Sequence, residues 1–178
     1  HSLDNLPLLF SPEYLTSIPD LDRIGIQQVG SGELSYRPVC TFSFFTDYFL
    51  WELNPFGFHL TNLVLHCLNG ILLFWFAWLL MRNRFYAMLA ALVFCLHPVN
   101  AEAAAIISFR EDLLVMFFWM ICLIIHAVQD KFRGWKLGLI KTTAVLSFLL
   151  SLFSKEMAIT LPGILLIYDW CFRLREHR

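Results

Sequence analysis

Long hydrophobic stretches without charged residues alternate with short polar segments through most of this chain. Residues 60–81 contain no Asp, Glu, Lys or Arg, and a stretch of this length can cross the hydrocarbon core of a bilayer. Another stretch, 137–154, crosses only if Lys141 extends toward the nearer interface. The pattern predicts an all-α integral membrane protein with about five transmembrane helices, at residues 60–81, 85–101, 113–129, 137–154 and 157–172.

The chain before the first predicted span divides into two segments. Residues 1–35 combine acidic residues with several prolines and glycines, which indicates an acidic extracytoplasmic loop. Residues 36–58 crowd aromatic side chains around a single acid, Asp47, and are too short to span, so they are predicted to form an interfacial helix and a turn. Residues 59–178 then form the transmembrane helical bundle.

Composition agrees with a lipid environment and excludes several classes of function. Hydrophobic residues make up 58% of the sequence and charged residues 15%, with a mean hydropathy of +0.64. With a formal net charge of -1 the chain has no basic field, so no nucleic-acid partner is expected. The five cysteines stand singly, without zinc-ligand spacing, and no metal site is predicted.

The distribution of Lys and Arg predicts the orientation of the bundle. Cations concentrate at the cytoplasmic ends of transmembrane helices. One orientation places nine of the thirteen cations on that side: Arg82, Arg84, Lys131, Arg133, Lys136, Lys141, Arg173, Arg175 and Arg178. The four that remain outside, Arg23, Arg37, Arg110 and Lys155, work against this bias and need another reason to be there.

Three of these extracytoplasmic cations have acidic neighbours in sequence. Arg110 is followed by Glu111 and Asp112, Lys155 is followed by Glu156, and Arg37 follows an acid four residues earlier. The same face is predicted to hold His59, His97 and Glu102. Such a polar cluster is suited to bind an anionic headgroup at the bilayer surface. The alternative is a set of interfacial ion pairs that hold loops together.

Five motifs, read together, resemble one family in their order and spacing. They are Tyr36-Arg37-Pro38, Asn54-Pro55-Phe56-Gly57-Phe58-His59-Leu60-Thr61-Asn62 with Leu65-His66, His97-Pro98-Val99-Asn100-Ala101-Glu102, Phe109-Arg110-Glu111-Asp112-Leu113, and Ser154-Lys155-Glu156 with Thr160-Leu161-Pro162. Over roughly residues 34–172 the chain resembles the membrane part of the transmembrane-and-TPR-containing O-mannosyltransferases and their bacterial relatives, within the GT-C glycosyltransferase superfamily. The fold implied is part of a GT-C membrane core.

The resemblance implies a membrane glycosyltransferase. Such an enzyme transfers a sugar, typically mannose, from a polyprenyl- or dolichyl-phosphate donor to an acceptor on the luminal or periplasmic side. The resemblance makes Arg37, Arg110 and Lys155 candidates to bind the donor phosphate, because cations stabilise the charge of that leaving group. The supporting polar residues implied are Tyr36, His59, His97, Glu102, Glu111, Asp112 and Glu156. No cofactor is assigned, and a divalent cation is left undetermined.

The catalytic base is the one part of the implied site without a candidate. In this superfamily a carboxylate, often one of an acidic pair, follows the first span and takes the proton from the acceptor hydroxyl. Here the sequence begins at His1 with no span before it. We therefore expect either a fragment of a longer enzyme or a protein that has lost this activity, and the catalytic residues stay unassigned.

The sequence leaves two alternatives to an enzyme open. The first is a non-catalytic membrane subunit or scaffold of a larger complex, with other membrane subunits as partners. The second is a transporter, which would place ionisable residues at the bilayer midplane, whereas Lys141 and Asp169 lie near cytoplasmic ends. The short loops and the lack of TPR sequence favour a bacterial inner membrane, with the endoplasmic reticulum membrane as the alternative.

Overall fold

The computed structural model describes residues 37–173, and its regular structure there is entirely helical. The predicted acidic loop, residues 1–35, and Tyr36 lie outside the described residues. The α-helices are α1 (Pro38–Trp51), α2 (Pro55–Met81), α3 (Arg84–Leu96), α4 (Pro98–Ala105), α5 (Arg110–Val128), α6 (Trp135–Leu152) and α7 (Leu161–Tyr168). Short 3-10 turns cover Ile107–Phe109, Gln129–Lys131 and Glu156–Thr160, and a π-helical turn covers Asp169–Arg173.

Several of these helices are long and apolar enough to cross a membrane. Three qualify within residues 37–173: α2, α6, and α5 together with its flanking 3-10 turns. A fourth span results if α3 and α4, which meet at an angle of 55°, are counted as one bent helix. The prediction of an all-α integral membrane protein is confirmed. The fifth predicted span, 157–172, consists of a 3-10 turn, the short α7 and a π-helical turn, and stays a prediction.

The helix boundaries follow from local sequence. The Asn54 side chain caps α2 by accepting a hydrogen bond from the Phe56 N–H, and Pro55 supplies the first helical residue. Arg82 ends α2 in the left-handed conformation, with φ of 55°. The bend between α3 and α4 lies at His97, whose extended backbone is the conformation favoured before proline.

Polar side chains join the helices inside the bundle. The Asn62 amide donates to the Ile106 carbonyl at 3.1 Å, and the Asn69 amide donates to the Leu113 carbonyl at 2.9 Å. His66 Nε2 lies 3.1 Å from the Cys95 carbonyl. All three side chains are buried. These hydrogen bonds join α2 to α3, to α5 and to the segment between α4 and α5.

The outward faces of the helices are apolar. Exposed large hydrophobic residues follow one another along α2, α3 and α6, which suits lipid rather than water. Helix α1 also exposes large apolar residues, among them Phe42, Phe49, Leu50 and Trp51. These side chains support the predicted interfacial position of α1, which stays a prediction.

Candidate functional site

Ionic side chains from three separate stretches meet at one end of the bundle. Arg37 precedes α1, Glu111 and Asp112 lie in the first turn of α5, and Lys155 and Glu156 form the corner after α6. We call these five residues the charged cluster and this end of the bundle the motif end. The structure therefore brings together five of the ten residues singled out from the sequence.

Glu111 is the central residue of the charged cluster. One of its carboxylate oxygens accepts a hydrogen bond from Arg37 Nη1, and the other lies 3.1 Å from Lys155 Nζ. Lys155 Nζ also donates to Asp112 at 2.7 Å. Arg37 Nη2 reaches the two carboxylate oxygens of Glu156 at 3.3 and 3.4 Å. Two cations thus alternate with three carboxylates.

The carboxylates differ in how firmly they are held. Glu111 is 14% exposed, whereas Asp112 is 43% and Glu156 is 63% exposed. The bonds from Arg37 to Glu156 are also the longest in the cluster. Glu111 and Asp112 gain further stabilisation from the positive end of the α5 dipole. Glu156 is therefore the carboxylate that another anion can replace most readily.

The cations of the cluster remain charged despite partial burial. Burial lowers the pKa of Lys155, but hydrogen bonds and attraction from Asp112 and Glu111 outweigh it and raise the pKa above its ordinary value. The pKa of Arg37 is raised in the same way, burial being outweighed by Glu111 and Glu156. A hydrogen bond from its own backbone N–H, partly opposed by burial, and the charge of Arg37 lower the pKa of Glu156.

The corner that carries Lys155 is held by backbone hydrogen bonds. The N–H groups of Ser154 and Lys155 both donate to the Ser151 carbonyl, at 3.0 and 3.1 Å, and Ser151 and Ser154 are buried. The Val39 N–H donates to the Phe153 carbonyl at 3.3 Å, which ties the start of α1 to the end of α6. These bonds hold the start of α1, which Arg37 precedes, beside the corner that carries Lys155.

Arg110, the third predicted cation, lies in a different environment. Its side chain is 0% exposed and pairs with Asp47 of α1, with Arg110 Nη1 2.5 Å from the carboxylate. Its Nε donates to Asn62 at 2.7 Å, and its Nη2 donates to the Phe58 carbonyl at 2.9 Å. The Phe44 ring lies 4.4 Å from the guanidinium carbon. We call Arg110, Asp47 and Asn62 the Arg110 network.

The Arg110 network changes the role expected for this arginine. Its guanidinium is covered by protein and joined to α1 and α2, which favours a structural role over contact with a ligand at the surface. Asp47, whose second oxygen accepts from Thr61 at 2.7 Å, was not among the residues singled out. Its isolation in an aromatic segment was a usable signal, because a carboxylate buried among apolar groups needs a cationic partner.

The other predicted site residues stay apart from the charged cluster. His59, His97 and Glu102 are exposed, and no hydrogen bond or ion pair within residues 37–173 joins them to it. His97 instead caps α4, where its Nδ1 accepts from the Val99 N–H at 3.3 Å. In the described part of the chain no group of His, Cys, Asp and Glu could hold a metal ion.

These features define an all-α integral membrane protein that gathers ionic residues at one end of its bundle. Curated proteins of similar sequence include protein O-mannosyl-transferase TMTC1 of Mus musculus, 38% identical over 144 residues and 76% of this chain. TMTC1 of Homo sapiens is 35% identical and TMTC2 of Homo sapiens is 31% identical, each over 76% of the chain. The chain belongs with the transmembrane-and-TPR-containing O-mannosyltransferases over this matching part, which confirms the resemblance drawn from the motifs.

The match covers a small part of each relative. The aligned residues make up 15% of the mouse TMTC1 sequence and 16% of the human TMTC1 and TMTC2 sequences, so the chain spans about one sixth of the curated relatives it matches. No protein-family profile and no solved structure matches the chain.

Proposed function

We propose that this chain is part of the membrane core of a glycosyltransferase that transfers a sugar from a polyprenyl-phosphate donor. The names of its relatives indicate that this sugar is mannose. The observation that carries this proposal is the charged cluster, in which two cations lie side by side at one end of the spans. Its relatives are named protein O-mannosyl-transferases. A lipid-linked donor reaches a protein from the bilayer, so its phosphate arrives at the level of the helix ends.

The geometry suggests how the donor phosphate binds. Arg37 and Lys155 share Glu111, which holds them in place, while each also contacts a more exposed carboxylate. A phosphate oxygen that displaces Glu156 would bind Arg37 Nη2 and leave the bond to Glu111 intact. The exchange replaces one ionic bond by another, and the phosphate gains Lys155 as a near neighbour. If Glu156 stayed in place, the three carboxylates of the charged cluster would repel the negatively charged donor.

The same cations would then act during sugar transfer. The bond between the anomeric carbon and the phosphate oxygen breaks, and the acceptor hydroxyl oxygen bonds to that carbon. The departing lipid phosphate gains one negative charge, which Arg37 and Lys155 stabilise more strongly than the charge of the bound donor. The acceptor hydroxyl loses its proton to a base that is not assigned among residues 37–173. Arg110 contributes by holding α1, and with it Arg37, against α2 and α5.

The cation distribution supports an extracytoplasmic site for this reaction. We therefore propose that the motif end faces a lumen or the periplasm. The relatives named above come from mammals, which favours a eukaryotic endomembrane over the bacterial inner membrane that the short loops suggested.

The experiment is sugar transfer by the purified full-length protein from a radiolabelled polyprenyl-phosphate mannose. Lys155→Met should lower kcat/KM by about 100-fold, a usual effect of removing one group that stabilises transition-state charge. Lys136→Met, which removes a lysine at the opposite end of the bundle, is the matched control and should leave kcat/KM unchanged. Equal activity of the Lys155→Met variant and the wild type would overturn the proposal.

One observation favours the second candidate function, a non-catalytic membrane subunit. Both cations of the charged cluster already have carboxylate partners, as expected of ion pairs that only hold loops together. This candidate predicts no transfer by the wild-type full-length protein and copurification with a stoichiometric membrane partner.

A further inference from the structure

A cavity of about 510 Å³ opens at the end of the bundle opposite the charged cluster. Helices α2 and α5 both begin at the motif end, so the residues that follow them, Arg82 and Lys131, lie at the same opposite face. Both residues line the cavity. The volume falls within the range of small-molecule sites in proteins. The cavity is separate from the charged cluster, and the proposed transfer reaction does not use it.

The surroundings of the cavity favour a negatively charged group. Arg82 and Lys131 line it together with one acid, Asp130. Arg84 adds a positive charge beside the cavity, because its guanidinium carbon lies 4.7 Å from the centre of the Trp78 ring, which is part of the wall. Asp169, bonded to His126 of the wall, adds a negative one, so cations outnumber acids by three to two among these described residues. Basic pockets between transmembrane helices at the cytoplasmic face are suited to lipid phosphate groups.

The remaining wall is aromatic and aliphatic. Tyr168 and Phe172 line the cavity and stack with ring centres 5.4 Å apart. His126, also in the wall, meets Tyr168 edge to face at 5.5 Å, and its Nε2 lies 2.8 Å from the Asp169 carboxylate. These contacts tie α5 to α7 and the turn after it. An apolar wall beside a cationic one matches a molecule with both a phosphate and a hydrocarbon part.

We propose that this cavity binds the headgroup of an anionic glycerophospholipid from the cytoplasmic leaflet. The phosphate contacts Arg82 and Lys131, and the glycerol and first methylene groups lie against the rings of Trp78, Tyr168 and Phe172. A small inorganic anion would gain nothing from this aromatic wall. The choice of a lipid follows from the position of the cavity at the ends of two helices long enough to cross the membrane.

The test is lipid binding by the purified full chain, measured by native mass spectrometry after delipidation and titration with phosphatidylglycerol or phosphatidylcholine. Wild type should bind phosphatidylglycerol more tightly than phosphatidylcholine. The double variant Arg82→Asn and Lys131→Gln should bind phosphatidylglycerol about thirtyfold more weakly, as expected from the loss of two cations near a membrane surface. Asn suits the left-handed backbone at position 82.

Two further variants separate the cavity from general surface charge. Arg133→Gln with Lys136→Gln removes two cations from the same end that do not line the cavity, and should leave binding within about twofold. Ala127→Phe changes no charge but fills space in the cavity wall, and should weaken phosphatidylglycerol binding. Equal loss in the control double variant, or unchanged binding in Ala127→Phe, would overturn the proposal. Displacement of the lipid by millimolar inorganic phosphate would overturn the choice of a lipid.

Discussion

The charged cluster and the Arg110 network lie next to each other at the motif end, yet the two sets of ionic side chains are built differently. Arg110 and Glu111 are consecutive residues, and the first belongs to the network while the second belongs to the cluster. Arg110 is fully buried, forms an ion pair with Asp47, and donates hydrogen bonds to Asn62 and to the Phe58 carbonyl. Arg37 and Lys155 are partly exposed and share carboxylates of unequal exposure.

This difference favours a structural use of the buried ionic residues and a functional use of the partly exposed ones. A buried ion pair cannot exchange partners without exposing a charge to a medium that does not solvate it. A partly exposed ion pair can exchange partners, because water or a ligand replaces the partner that is lost. We therefore propose that the Arg110 network holds the helices together and that the charged cluster binds a ligand, and each prediction tests one side of this contrast.

The largest effect is expected from Asp47→Ala. The substitution leaves the Arg110 guanidinium buried without its counter-charge, which should lower the free energy of unfolding by about 3–5 kcal/mol. Thermal unfolding in detergent measures this. Glu102→Ala, which removes an exposed acid from the same end, is the control and should change stability by less than about 0.5 kcal/mol. Similar losses in both variants would show that Asp47 and Arg110 do not form a buried pair.

A smaller effect is expected where α1 meets α2. A Cβ atom at Gly57 would overlap the Trp51 side chain, and the next residue, Phe58, supplies the carbonyl that accepts from Arg110. Gly57→Ala should therefore lower the free energy of unfolding by about 1–3 kcal/mol. Gly138→Ala, in α6 with open space around its Cβ, should be neutral or stabilising. A neutral Gly57→Ala would contradict close packing at this corner.

The charged cluster should tolerate the loss of one charged side chain with a smaller loss of stability than the Arg110 network. Lys155→Met should lower the free energy of unfolding by about 1 kcal/mol or less, because Glu111 keeps its contact with Arg37 and Asp112 remains in contact with water.

The pH dependence of this stabilisation is a further prediction. The pKa of Lys155 is raised in the folded protein, so its stabilisation is fully present below the pKa of the unfolded chain and is lost as pH rises through the folded pKa. The stability gap between wild type and variant should stay constant near neutral pH and close under alkaline conditions. A gap that closes on acidification to about pH 6 would contradict this sign.

Much of the fold was predictable from the hydrophobic pattern. Uncharged stretches identified the helices α2, α3 and α5, and a stretch with the single charge of Lys141 identified α6. The alternation of spans placed the motifs at one end. The stretch 157–172 shows what hydropathy does not register, because an apolar composition does not reveal that the helical structure there is interrupted. Pro162 is the second residue of the short helix α7, and a π-helical turn follows that helix.

The site was predictable as a group of residues but not as a set of contacts. Span alternation brought Arg37, Arg110 and Lys155 to one face. Arg37 contacts Glu111, 74 residues away, and Glu156, 119 residues away, and no local pattern encodes such pairs. The burial of Arg110 depends on Asp47, 63 positions earlier in the sequence, and on the packing of α1 against α2 and α5.

The measurement that tests the central claim most directly is the affinity of the full-length protein for polyprenyl phosphate in the Glu156→Gln variant. Glu156 is the exposed carboxylate that the phosphate is proposed to displace from Arg37, so its removal should tighten binding by about fivefold. Glu102→Gln, an exposed acid outside the cluster, should leave affinity unchanged. Unchanged or weaker binding in Glu156→Gln would contradict the account, because the charged cluster would then not exchange a carboxylate for the donor phosphate.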